Sequence, residues 1–145
     1  MARPLLRFSH VTVAAVALLS MSCATVPPPS GLVWGYVAEF GATANLRGVV
    51  YTLDRPVCEV TRANAMKTEL AWGELKIPAE CRRLVAGHGT DYWVYTTRNT
   101  VGDSVAVGFN ERDWCVRAQQ AGQQTSRRGM VSLSDCQPVA LNFQP

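Results

Sequence analysis

The chain repeats itself. Trp34-Gly35-Tyr36 recurs as Trp93-Val94-Tyr95, Asp54-Arg55-Pro56-Val57-Cys58 recurs as Glu111-Arg112-Asp113-Trp114-Cys115, and Cys81 recurs as Cys136, all in the same order. The offset is 59 residues at the tryptophans, 57 at the first cysteines and 55 at the second. Two small deletions account for that drift. A chain of this kind builds one supersecondary unit twice and must bury the faces of both copies. The copies divide residues 31–145, read as one domain, into 31–87 and 88–145.

Each copy reads alike. Leu32 to Phe40 is aromatic and β-branched and suits a strand. Gly41 to Asn45 is a turn, and Arg47 to Leu53 a second strand. Asp54 then caps a helix that tolerates Pro56 in its first turn. Val57, Val60, Ala63, Met66 and Leu70 follow at helical spacing and predict its buried face. Gly73 and Pro78 end it, and Cys81 to Ala86 returns as a strand. In the second copy Tyr92 to Arg98 and Ser104 to Phe109 flank a turn at Asn99 to Asp103. Asn110 caps a helix to about Gln123, and Met130 to Ser134 and Val139 to Phe143 return as strand, interrupted around Pro138. The expected fold is α+β: a strand–strand–helix–strand unit used twice, a mainly antiparallel sheet, and two helices on one face.

The cysteines number five: Cys23, Cys58, Cys81, Cys115 and Cys136. Equivalent copies would each close their own bridge, Cys58 with Cys81 and Cys115 with Cys136. The symmetric alternative joins Cys58 to Cys115 and Cys81 to Cys136. Either leaves Cys23 over. It follows a leader in which Arg3 and Arg7 precede an apolar run from Val11 to Leu19, a secretory signal peptide over residues 1–22. The run is too short to span a bilayer, which takes about 20 residues.

The segment Leu18-Leu19-Ser20-Met21-Ser22-Cys23-Ala24 resembles the lipobox of bacterial lipoproteins. Ser20 stands three places before the cysteine, where that family usually has Leu. The resemblance implies that Cys23 is lipidated and becomes the N-terminus, and that Ala24 directs sorting to the outer membrane, facing the periplasm. Ordinary cleavage would instead release a periplasmic or secreted protein. The segment 23–30, with Pro27, Pro28 and Pro29, reads as the lipidated cysteine and a stiff tether holding the domain off the membrane. The remainder is similar to small secreted bacterial proteins with an acid-capped helix carrying an early cysteine, a likeness that implies no activity.

The chemistry-bearing residues are sparse. Of 14 basic residues two lie in the leader, which leaves 12 against 11 acidic ones, so no basic stripe for nucleic acid is expected. His88 and Asp91 lie between the copies in Ala-Gly-His-Gly-Thr-Asp, which reads as a connector. No Gly-x-Ser-x-Gly elbow accompanies them. The cysteines lack the Cys-x-x-Cys spacing of a zinc knuckle or redox pair, and disulfides are expected instead. Glu39, Glu69, Glu74 and Glu80 form no evident acid–base pair, while Asp54 and Glu111 are helix-start residues beside Arg55 and Arg112. No cofactor is expected. Trp34, Tyr36, Trp93 and Tyr95 recur with period two, so each Trp shares a sheet face with its Tyr. Under the helices they are core. On an open face they form an aromatic strip for a glycan or peptide. The expected role is a non-enzymatic, lipid-anchored envelope protein that binds an envelope partner or stabilises the envelope. The alternative is a small periplasmic inhibitor or a glycan- or peptide-binding module.

Overall fold

In a computed structural model, residues 25–41, 45–68, 75–99, 101–124 and 133–144 are described. The leader, Cys23 and the first three residues of the expected strand Met130 to Ser134 lie outside them, as do Glu69, Leu70, Gly73 and Glu74. The elements are β1 (Gly31–Phe40), β2 (Arg47–Thr52), α1 (Arg55–Thr68), β3 (Leu75–Lys76), β4 (Arg82–Arg98), β5 (Ser104–Phe109), α2 (Arg112–Gln124) and β6 (Gln137–Phe143).

All pairings are antiparallel. The sheet runs β3-β1-β2-β5-β4-β6, and an additional ladder joins β1 to β4. Four strands, β1, β2, β5 and β4, therefore close into a barrel. The closure depends on β4, which pairs with β1 through Arg82–Ala86 and with β5 through Trp93–Arg98, while β6 runs beside both arms. A closed ring leaves few unpaired backbone groups at sheet edges.

The region read as a connector is thus strand. β4 continues from Arg82 to Arg98 through His88, with a bulge between Gly87 and Tyr92. The long-range partner overrides the local glycines. Gly89 is needed there because a Cβ would come 2.4 Å from that of Ala140 on β6. Pro138 likewise lies within β6, opposite Trp93, near the strand start where proline is tolerated.

The pairing registers of the two halves correspond. Trp34 faces Thr52 as Trp93 faces Phe109, and Trp34 faces Arg83 as Trp93 faces Pro138. Between the halves, Val50 faces Val107 and Ala86 faces Leu141. Around Val50, Val49 faces Gly108 and Tyr51 faces Ala106.

Alternation sends one side of each strand into the barrel and the other outward. Val33, Val49, Tyr51, Leu84, Val94 and Ala106 are fully buried members of the cluster inside. Its filling is complementary in size. Gly35 faces Tyr51 in one half, whereas Val94 faces Gly108 in the other. Each glycine makes room for its larger neighbour.

Both helices pack on the outer side of the sheet, α1 on β1 and β2 and α2 on β4 and β5. Each is stapled by a disulfide from its first turn to the residue before a strand: Cys58–Cys81 ahead of β4 and Cys115–Cys136 ahead of β6. The first bridge sits in an outer cluster with Tyr36 and Ala38, flanked by Trp34 and Val50. That bridge also fixes the rotation of α1. Cys58 is buried and Val57 and Ala63 are half-buried, but Val60 is 55% and Met66 46% exposed, so the face predicted from spacing packs only in part. The cap of α2 differs too. Asn110 does not cap it: Asn110 Oδ1 accepts the Arg47 N–H at 2.9 Å and Nδ2 donates to the Asn45 carbonyl at 2.7 Å. The first helical acceptor is Glu111, whose carbonyl takes the Cys115 N–H at 3.3 Å, as that of Asp54 takes Cys58 at 3.1 Å.

Residues 25–30, expected as a tether, touch the domain at Val26. The Val26 N–H donates to the Leu133 carbonyl at 2.9 Å, and the Leu133 N–H to that of Thr96 at 2.7 Å. Pro28 and Pro29 are half-buried.

Glu59 ties α1 to the chain entering β4. Its Oε1 accepts the Cys81 N–H at 2.8 Å and its Oε2 the Arg62 Nε–H at 2.9 Å. The Cys81 amide first, and Arg62 after it, hold the Glu59 carboxyl below its ordinary 4.5. A depressed carboxyl pKa stabilises the fold above the ordinary value, and that contribution is lost as pH falls through the lowered one. Glu59→Gln should therefore lower the melting temperature at neutral pH, with the gap closing in acid. Melts across the acid range check this, since a pH-independent gap would mean lost packing instead.

Candidate functional site: the open mouth of the barrel

The recurring aromatics come first. Tyr36 and Tyr95 are 3% and 8% exposed, on the outer strand faces that the helices cover. Burial pushes both phenols up to about 12, opposed at Tyr36 by the Arg62 guanidinium. Trp34 and Trp93 are half-buried. Arg55 lies over Trp34 at 5.0 Å and Arg112 over Trp93 at 5.3 Å, the first residue of each helix covering the ring. Arg83 adds a second cation over Trp34 at 5.9 Å. Neither Trp–Tyr pair forms an open platform. The structure keeps the pairs apart, one under each helix.

His88 and Asp91 are exposed on the bulge of β4. Asp91 Oδ2 faces the Leu141 N–H at 3.4 Å, so this carboxylate is directed at β6. Among the described residues, no three His, Cys, Asp or Glu side chains converge as metal ligands. Glu80 pairs with Arg55 at 3.8 Å on the surface.

The site that does form lies at one mouth of the barrel. It is an open cleft of about 380 Å³ lined by Val37, Glu39, Arg47, Lys76, Ile77, Pro78, Tyr92 and Phe143, a volume within the range of small-ligand pockets. Three charges stand in a row across three strands, because Glu39 faces Arg47 on β2 and Lys76 on β3. Among the described residues no ion pair within 4.0 Å joins them. Two cations flank one carboxylate, above an apolar wall of Val37, Ile77, Pro78 and Phe143. Tyr92 closes the inner side, its phenol pushed up by burial and drawn back by Arg47. The cleft can hold a small or extended molecule with an apolar body, by contact and charge.

Sequence reasoning missed this cleft. Glu39 opposite Arg47 is readable from the hairpin that joins the first two strands. Lys76 is not, because it enters through a two-residue strand, and Phe143 arrives from the far end of the chain.

Comparison with protein-family models, curated proteins and solved structures returns no match for this chain.

Proposed function

We propose that this is an exported cell-envelope protein, anchored through a lipidated Cys23 in the outer membrane and facing the periplasm, with a non-enzymatic binding role. The observation that carries the reading is the pairing of the cysteines. Cys58–Cys81 and Cys115–Cys136 use four of five, so the remaining one is the cysteine of the lipobox-like leader. The bridges suit an oxidising compartment. The open cleft favours binding over a purely structural role. The alternative, a small periplasmic inhibitor or glycan- or peptide-binding module, draws on the same cleft, since the aromatic strips lie under the helices.

The barrel is, on this reading, a tandem duplication. Supporting it, the offsets of 59, 57 and 55 residues seen in the sequence also relate the ladders, so Val50–Val107 and Ala86–Leu141 lie on a pseudo-twofold axis.

Intact mass spectrometry of the protein from its native membrane, with and without reduction, tests the anchor. The expected result is a chain beginning at an acylated Cys23 that gains four hydrogens on reduction. An unacylated chain beginning at Cys23 or Thr25 would sink the anchor and make a freely diffusing binding protein the better reading.

A further inference from the structure

The two mouths of the barrel correspond through the pairing registers yet are finished differently. At the first, Glu39 faces Lys76 and Phe40 faces Leu75, a register that sets Pro78 beside Val37. At the second, the Leu133 N–H donates to the Thr96 carbonyl. Thr96 follows Trp93 by as many residues as Val37 follows Trp34, and Leu133 precedes Cys136 by as many as Pro78 precedes Cys81. By these counts Pro78 holds at the first mouth the place that Leu133 holds at the second, although a proline has no N–H to make the bond that Leu133 makes. At the second mouth the chain lays its own segment beside Leu133: the Val26 N–H bonds the Leu133 carbonyl, Pro28 and Pro29 are half-buried, and the chain runs on into Gly31. Among the described residues, no segment lies on the first mouth in this way. The residues leading to Tyr92 arrive along the barrel wall as the first arm of β4. What stays open there is the cleft.

We propose that the cleft is a docking groove for an extended, proline-containing peptide segment of a partner, seated as Val26–Pro29 is seated at the other mouth. The Pro78 carbonyl belongs to the residue that corresponds to Leu133 by count from the following cysteine. It accepts one bond from Arg62 Nη1 at 3.2 Å, and a carbonyl has a second lone pair to give. Ile77, Pro78 and Phe143 present the apolar surface that pyrrolidine rings cover. A polyproline segment is already extended and has no internal hydrogen bonds to lose, so it binds at low ordering cost. Lys76 and Arg47 outnumber Glu39, which admits an acidic side chain and disfavours a basic segment. The proposal deepens the binding role and rests on the pairing registers, not on the lipid anchor.

The test uses the mature protein and a capped peptide of residues 25–30, Thr-Val-Pro-Pro-Pro-Ser, carrying a photo-crosslinker. Crosslinks are mapped by mass spectrometry. They are expected at Lys76–Pro78 and Phe143 and should be competed by excess unlabelled peptide. Replacing the three prolines of the peptide by alanine should abolish most labelling. Ile77→Asp should weaken binding about tenfold, and because Ile77 also packs against the cluster beneath α1 its melting temperature should fall as well. Should that variant misfold, Phe143→Ser at the exposed rim should show the same loss of binding. Labelling scattered over the surface, labelling that does not compete, or labelling at Leu133 alone through displacement of the chain's own segment each overturns the proposal. An unacylated Cys23 leaves this pattern untouched, so the two readings fail separately.

Discussion

Replacing Cys58 and Cys81 together by alanine is expected to lower the melting temperature by about 10 °C. The bridge closes a loop with a sequence separation of 23, and chain-entropy reasoning gives such a loop about 3 kcal/mol. In a domain of this size each kcal/mol shifts the midpoint by about 4 °C. The loss reaches further than the loop. Both sulfurs lie in the outer cluster beneath α1, Cys58 fully buried and Cys81 2% exposed, so their removal also loosens the packing on Tyr36 and Ala38. The Cys115–Cys136 bridge has a separation of 21, but Cys136 is only half-buried. Its double alanine variant should lose the loop contribution with less loss of packing. Thermal melts of both variants, followed by circular dichroism, read this directly. Equal shifts would show that cluster packing adds nothing, and a shift under about 3 °C for the first pair would contradict the loop-closure account.

Gly35→Ala is the second large effect expected. A Cβ there would stand 2.5 Å from the Val50 carbonyl oxygen, 2.6 Å from Tyr51 Cβ and 2.8 Å from Leu84 Cδ1. The first two cannot swing aside, because they belong to the facing strand. Overpacking of a core costs about 1–3 kcal/mol, occasionally more, and a closed ring of strands has little room to widen. We expect about 3 kcal/mol, read as a lowered urea midpoint at unchanged slope. Gly108→Ala should behave alike, since its Cβ would meet the Trp93 carbonyl oxygen and Val94 Cγ2, both at 2.6 Å. Gly87→Ala is the control. Nothing lies within 4 Å of its Cβ position, so it should be neutral or slightly stabilising. A barrel that tolerates alanine at Gly35 as it does at Gly87 would contradict the size complementarity described for its interior.

Much of this architecture is legible in the sequence because the repeat carries it. The span Ser104 to Phe109 is bounded as expected, since the Asn99 to Asp103 turn is locally determined: Asn99 Oδ1 accepts the Val101 and Asp103 N–H groups, and Gly102 takes a positive φ. The failures have a common cause, the dominance of distant partners. β1 is apolar on both sides, Val33 and Val37 inward and Trp34, Tyr36 and Ala38 outward. That pattern announces a strand covered on both faces but does not say that the sheet closes. Closure requires β4 to cross a glycine-rich stretch, which β6 pairs at both ends, at Gly87 and at Tyr92. The rotation of α1 is legible only in part, because Val60 and Met66 fit an apolar period with Val57 and Ala63 yet stand exposed once Cys58 is bridged to Cys81. The cleft depends on β3, too short to leave a periodic signal.

β4 has a further consequence for how the molecule bears load. Its first arm is flanked by β1 on one edge and β6 on the other, with Gly31 opposite Ala86 and Phe143 opposite Leu84. Both neighbours are antiparallel to β4 and so parallel to each other. The chain enters β1 at one end of this arm and leaves β6 at the other. Tension between the two chain ends would draw β1 backwards and β6 forwards along β4. Ladder hydrogen bonds lie across the strands, so the pull meets them in shear, all rungs together, rather than opening them one at a time like a zip. A domain held at its N-terminal side and pulled from the end of β6 would thus be loaded in shear.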